Sequence, residues 1–320
     1  MKNIFWLIRR EFWEHKAELL WAPLMISMFF LLLMAWWAFG QNYLGFVGSI
    51  TINNSQITAG DIIDPNKWEA LTATIKAGVL LAAGIQLSIT SLIGFSYSAN
   101  CLSDERRDRS VLFWKSLPTS DLQTIGAKAI TASLLIPAIS MGILAVAIPI
   151  DIFILLWGGS GLHGSFVTDG HLFKLLSLFV MTVLAYLPLQ VLWSLPTVGW
   201  CMLVSGVARA NSSLKAFGLP LIGFIVMAIV QAMFGIGDSN STHSPLFDVY
   251  EAGRISLIRL ITGTLPLSWS FLAKTKSPDT SVFLDYGWTS VNAYQIVFGV
   301  IAGALMIYGA MLMRKRFSGD

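Results

Sequence analysis

The chain is 320 residues long, 55% hydrophobic and only 12% charged, with a mean hydropathy of +0.68 and a net charge of +3. A water-soluble domain of this size carries about twice that share of charge, so the composition excludes one and points to an integral membrane protein. The small net charge gives no footprint for nucleic acid, and two cysteines without CxxC or Cys/His spacing give none for zinc.

Residues 1–18 set Ile4, Phe5, Ile8, Phe12 and Trp13 at helical spacing against Lys2, Arg9, Arg10, Glu14 and Lys16, the pattern of an interfacial helix. It is too charged for the short basic region of a signal peptide. Residues 19–40 are uncharged and long enough to cross a ~30 Å hydrocarbon core, and Trp36 with Trp37 ends them as an aromatic belt. Residues 41–76 are polar and predict a small external loop or β-turn, after which Asp64-Pro65 starts a helix. Residues 77–101 form span two, directed inward. Gln86, Thr90 and Tyr97 fall close to one of its faces, with Ser91 and Ser98 beside them. Such a face either lines a wet translocation path or hydrogen-bonds between helices.

The densest charge in the chain follows, at residues 103–121 between two apolar runs. Asp104 and Glu105 supply negative charge to the first turn of a short helix, Arg106, Arg107 and Arg109 follow, Val111 to Trp114 form an apolar patch, and Pro118 ends it. Ser120 with Gln123 reads as a capping box opening the next helix. Glu105, Ser110, Leu112 to Trp114 and Pro118 resemble the cytoplasmic signature after the second span of ABC-2 type permeases: roughly Glu, three residues, Gly-Thr, an apolar cluster, then Pro. The run Phe113-Trp114-Lys115-Ser116-Leu117-Pro118 is similar to a bacterial branch of that family, with Arg109 standing where many members have Gly. The resemblance implies a coupling helix over 103–118 that docks on a separate ATPase, using Asp104, Glu105, Arg106, Arg107, Arg109, Phe113, Trp114, Lys115, Leu117 and Pro118. An ordinary Arg-rich inner loop obeying the positive-inside rule would show the same charges.

Residues 122–157 are long enough for one tilted span, interrupted by Pro137 and Pro149, with Asp151 expected at the outer interface. Residues 158–171 are a glycine-rich outer turn that lacks the Lys-Ser/Thr ending of a phosphate loop, and His163 with His171 has no third ligand for a metal. Residues 173–207 form span four, kinked by Pro188 and Pro196 and carrying Gln190. A short inner turn at 209–215 leads to span five at 216–236, whose one strongly polar residue is Gln231.

Residues 237–290 are read as external. Leu246, Val249, Tyr250, Gly253, Leu257 and Leu260 share one side of a helix, with Asp248, Glu251, Arg254 and Arg259 largely on the other, so this helix either lies on the outer surface or partly re-enters the membrane. Residues 291–313 are span six, finished by Arg314-Lys315-Arg316. This layout puts 14 of the 21 Lys and Arg residues on inner segments, which selects both termini inside.

The expected fold is therefore all-α, with six transmembrane helices. The resemblance adds an N-terminal elbow helix, the cytoplasmic coupling helix, and external helices between the last two spans. The chain has no phosphate loop, and the resemblance implies that it borrows its energy, as a non-enzymatic permease subunit of an exporter in a bacterial inner membrane, paired with a second permease copy and two ATPase subunits that hold Mg-ATP. Gln86, Thr90, Tyr97, Gln190 and Gln231 are the candidates for its translocation path. An ion-coupled secondary transporter is the alternative, and would place ionisable groups at mid-membrane depth. A membrane enzyme needs a catalytic constellation that four scattered histidines, His15, His163, His171 and His243, do not supply.

Overall fold

The computed structural model describes residues 2–43, 50–52, 55–57, 65–107, 120–158, 171–208, 211–234, 245–264 and 293–317. They form helices α1 (Lys2–Glu14), α2 (Ala22–Tyr43), α3 (Pro65–Arg107), α4 (Asp121–Ile130), α5 (Ile136–Gly158), α6 (His171–Val207), α7 (Ser212–Phe234), α8 (Pro245–Thr262) and α9 (Ala293–Phe317). The departure from an all-helical chain is a small antiparallel hairpin in the polar segment before α3. There β1 (Ile50–Ile52) pairs with β2 (Ser55–Ile57), Thr51 facing Gln56.

Among the described residues five helices are long and apolar enough to cross a membrane: Ala17–Trp36, Asp121–Ile154, Leu187–Val207, Ser212–Met233 and Tyr294–Arg314. The described part of α3 is more polar, because Gln86, Ser88, Thr90, Ser91 and Ser98 interrupt its apolar run. With 43 residues it is about 64 Å long, twice what a hydrocarbon core requires.

Local chemistry explains the helix boundaries. Pro65 opens α3, where its missing N–H costs nothing. Ser120 and Gln123 form the capping box that starts α4: the Ser120 hydroxyl accepts from the Gln123 backbone N–H, and the Gln123 side chain accepts from the Ser120 backbone N–H. Two π-helical turns, Ala17–Trp21 and Thr131–Leu135, precede α2 and α5. Each ends two residues before a proline, Pro23 or Pro137, whose ring would clash with a carbonyl of the preceding turn, and the wider turn gives it room. The expected interruption at Pro137 is thus a π turn within one continuous rod, while Pro149, Pro188, Pro196 and Pro220 lie inside their helices.

The tightest packing is between α6 and α9. A Cβ on Gly303 would fall 2.7 Å from the backbone of Leu195, and one on Gly199 would fall 2.6 Å from the Gly303 carbonyl oxygen. Only glycines let these two helices meet this closely, the means by which membrane helices without a hydrophobic driving force gain packing energy. Around this seam Leu19, Tyr97, Leu102, Ile125, Ile136, Val198, Met202 and Met311 make the buried core that joins α3, α4, α6 and α9. By contrast α2, α7 and α9 leave apolar side chains such as Phe29, Leu32, Ile222, Ile229, Phe298 and Leu305 exposed, as surfaces facing lipid do.

Helix α8 runs antiparallel to α7, with Tyr250 bonded to Gln231, the Gly253 backbone against Met227 and Leu257 against Gly223. Its last turn ends between α6 and α9. Arg259, set by periodicity opposite the apolar side of this helix, is buried there. Asp151, expected at an interface, is also buried, at 6% exposure.

Candidate functional site

The charged end of the bundle, where α3 stops at Arg107 and α4 begins at Asp121, is built from ionisable side chains of four helices. Lys128 on α4 lies 3.0 and 3.1 Å from the two carboxylate oxygens of Glu11 on α1 and 3.2 Å from Glu105 on α3. Lys128, Glu11 and Glu105 are 3%, 2% and 8% exposed. Arg314 on α9 approaches the other oxygen of Glu105 at 3.2 Å and Asp121 at 3.9 Å. Arg10 bonds Glu11 and Glu14, each at 2.9 Å, and stands 3.9 Å from Glu105. The Tyr97 hydroxyl donates to Glu11 at 2.7 Å, and His15 packs edge-on against the Tyr97 ring.

Charges this deep persist only when paired. Burial pushes the Glu11 carboxyl up, but Lys128, the Tyr97 hydroxyl and Arg10 together outweigh it and hold the group below its ordinary value of 4.5. The cluster is therefore a charged tie between helices. Beside it opens a cavity of about 420 Å³ lined by Glu14, His15, Glu18, Asn100, Asp104 and Arg107, among others. Glu11, Glu14 and His15 bring ligand atoms within 4.8 Å of one another. Arg10 already bridges both carboxylates, so the trio does not fit a metal ion.

The other side of the same two turns of α3 is held by hydrogen bonds rather than ion pairs. The Asn100 side-chain oxygen accepts from the hydroxyls of Ser212 and Ser213 at the start of α7, at 2.9 and 2.7 Å. The Ser205 hydroxyl oxygen accepts from the backbone N–H groups of Leu102 and Ser103. Arg106 donates to the carbonyls of Gly206, Ala208 and Ser205, the last turn of α6. Those carbonyls have no helical partner of their own, so Arg106 acts as a cap on α6. Asn211 carries the chain from α6 into α7 with a positive φ of 53°, a conformation its short side chain tolerates.

Of the residues assigned to ATPase coupling, Asp104 to Arg107 occupy the last turn of α3, where the sequence placed them in the first turn of a new helix. Glu105 and Arg106 point inward, whereas Asp104 and Arg107 are exposed. Arg109, Phe113, Trp114, Lys115, Leu117 and Pro118 lie outside the described residues.

The five path candidates all make hydrogen bonds between helices. The Ser27 hydroxyl donates to Gln86 at 2.5 Å, the Gln86 amide donates to Ser140, and Thr90 donates to Ser140 at 2.8 Å, which joins α2, α3 and α5. Tyr97 belongs to the charge cluster. Gln190 donates to the Thr264 carbonyl at 2.9 Å, and Gln231 accepts from Tyr250 at 2.6 Å. Thr90 and Gln190 also meet across one narrow cleft with Ser91, Ser194 and Thr264, its free space about 20 Å³, the size of a single water.

Sequence reasoning missed Glu11, Lys128 and Arg314 as members of one site. Lys128 carried a usable signal: a lysine inside a long apolar run needs a buried partner. Comparison of the chain with models of known protein families, with curated proteins and with solved structures finds no match to any of them.

Proposed function

We propose that the chain is the membrane-spanning subunit of an ABC-type exporter, driven by a separate ATPase that grips the segment following Arg107. In this reading α3 contains span two and completes a set of six spans, both termini are cytoplasmic, α1 is the elbow helix, and two copies of the chain assemble with two ATPase subunits in a bacterial inner membrane. The observation that carries the reading is the charge cluster at the root of that segment. Glu105 of the permease-like motif is ion-paired to α4 and α9 and, through Lys128 and Arg10, to α1. Arg106, next to it, holds the end of α6. A push on the 103–118 segment would therefore reach four other helices through one rigid junction. Phe113 and Trp114 are the apolar anchors for the ATPase, with Asp104 and Arg107 the charged rim.

The test is affinity purification of the chain from its native membrane. A phosphate-loop ATPase should accompany it, and a Phe113→Ala, Trp114→Ala double variant should lose both that chain and the hydrolysis activity. A preparation that never contains a nucleotide-hydrolysing partner overturns the reading.

Asp151 supports a second reading. It is a buried carboxylate on α5 with one oxygen lacking a hydrogen-bond partner, as an ion-coupled secondary transporter requires. Uptake or efflux that follows a proton or sodium gradient, is indifferent to ATP and is lost in Asp151→Asn would favour it.

A further inference from the structure

Arg259 is 7% exposed, near the C-terminal end of α8. Its backbone carbonyl accepts from the Thr197 hydroxyl at 2.7 Å. Trp193, whose carbonyl holds the guanidinium, lies about 14 residues, or about 21 Å, from the Val207 end of α6, and Gln295, its other acceptor, is the third residue of α9. The guanidinium thus sits inside the bundle, toward the Ala293 end of α9. It bonds only backbone carbonyls: Nε and Nη2 donate to Trp193 at 3.3 and 3.2 Å, and Nη1 donates to Gln295 at 2.6 Å. Below it the Trp193 ring stacks with its centroid 3.9 Å from Cζ. Against it lies Gly299, where a Cβ would come within 2.5 Å of both terminal nitrogens.

Carbonyl dipoles and an aromatic face orient a cation without neutralising it. Among the described residues no carboxylate pairs with Arg259, although burying an unpaired charge is expensive. A guanidinium has five N–H donors, and the three bonds above leave one N–H on each terminal nitrogen. That pair is what a phosphate or carboxylate bridges with two oxygens. The next residue along α6, Ser194, lines the polar cleft shared with Thr90, Ser91, Gln190 and Thr264. Two N–H donors of a buried cation are thus left for an anionic group, and among the described residues no carboxylate balances the charge.

We propose that Arg259 binds a single oxyanion, a phosphate or carboxylate, carried by an amphipathic molecule within the bundle. The site stands independently of how transport is powered, so failure to find an ATPase leaves it untouched.

The experiment uses the purified full chain in phosphatidylcholine nanodiscs, titrated with dodecyl phosphate or dodecanol, which share an alkyl tail and differ in the head. Dodecyl phosphate should raise the thermal midpoint saturably, by roughly 5 °C at a hundredfold excess over Kd, and dodecanol should not. Arg259→Gln should abolish the rise. Arg259→Lys, which keeps the charge without the fork, should weaken the apparent Kd at least tenfold. If phosphatidylglycerol in the disc alone stabilises the wild type but not Arg259→Gln, the site holds and its occupant is lipid. Equal response to both ligands, an unchanged Kd in Arg259→Lys, or no response in the wild type overturns the proposal and leaves Arg259 as a structural tie, even where Arg259→Gln does not fold.

Discussion

Replacing Lys128 by Met removes a charge from the centre of the α1, α3 and α4 junction while nearly conserving volume. Lys128 makes contacts of 3.0 to 3.2 Å with both Glu11 and Glu105. At an effective dielectric constant near 20, a unit pair at that separation is worth about 5 kcal/mol. Two such pairs are offset by the several kcal/mol that burial of the ammonium costs, and by what the carboxylates retain. Glu105 keeps Arg314 at 3.2 Å, and Glu11 keeps Arg10 and the Tyr97 hydroxyl. The expected net loss is about 3 kcal/mol, at the low end of what breaking a buried pair costs. Because Glu11 loses more than Glu105, adding Glu11→Gln to Lys128→Met should recover at least about 1 kcal/mol, a non-additivity that a double-mutant cycle reads directly. The assay is reversible unfolding in mixed dodecyl sulfate and dodecyl maltoside micelles followed by circular dichroism. A Lys128→Met variant within about 0.5 kcal/mol of wild type, or an additive cycle, would refute the assignment of the cluster as a tie.

Gly303→Ala should push α6 and α9 apart and lower stability by about 1 to 3 kcal/mol, whereas Gly142→Ala, whose Cβ meets nothing within 4 Å, should cost nothing; parallel thermal unfolding of the two separates packing from helix propensity. Arg106→Ala leaves the carbonyls at the end of α6 without their donor and should cost about 2 kcal/mol, with faster amide exchange confined to the last turn of α6. Acid sensitivity follows from Glu11. Its folded-state pKa is depressed, so its contribution is complete above the ordinary 4.5 and is lost as pH falls through the lower folded value. The stability profile of Glu11→Gln should accordingly be flatter than that of wild type below about pH 4.5, and parallel acid limbs would contradict the pairing.

Much of the helical framework was legible because it depends on local rules. Pro65 as a first helical residue, the Ser120 and Gln123 capping box and the apolar runs announce themselves within a few positions. The candidate site was only half legible. Glu105 stood out as a carboxylate in a charged motif, but its helix continues from α3, because the arginines that looked like a new surface helix include one, Arg106, that satisfies carbonyls of α6 a hundred residues away. Glu11 and Lys128 are 117 positions apart, and nothing in either neighbourhood encodes their meeting. Periodicity set Arg259 opposite the apolar side of α8, which is correct as geometry and misleading as environment. The face opposite α7 packs on carbonyls of α6 and α9, an arrangement that depends on Gly299 and on the end of α8 entering the bundle. The Gln86 and Thr90 face announces interhelical hydrogen bonding by its spacing, but not that its partners are Ser27 and Ser140.

The central claim is that energy enters from outside through the segment rooted at Glu105. Its most direct test is photo-crosslinking from a benzoylphenylalanine placed at Phe113, carried out in intact native membranes. The account predicts a covalent adduct with a chain bearing a phosphate loop, whose yield changes when ATP is depleted. Adducts with lipid alone, or labelling of that position by an impermeant reagent added from the exterior, would contradict it.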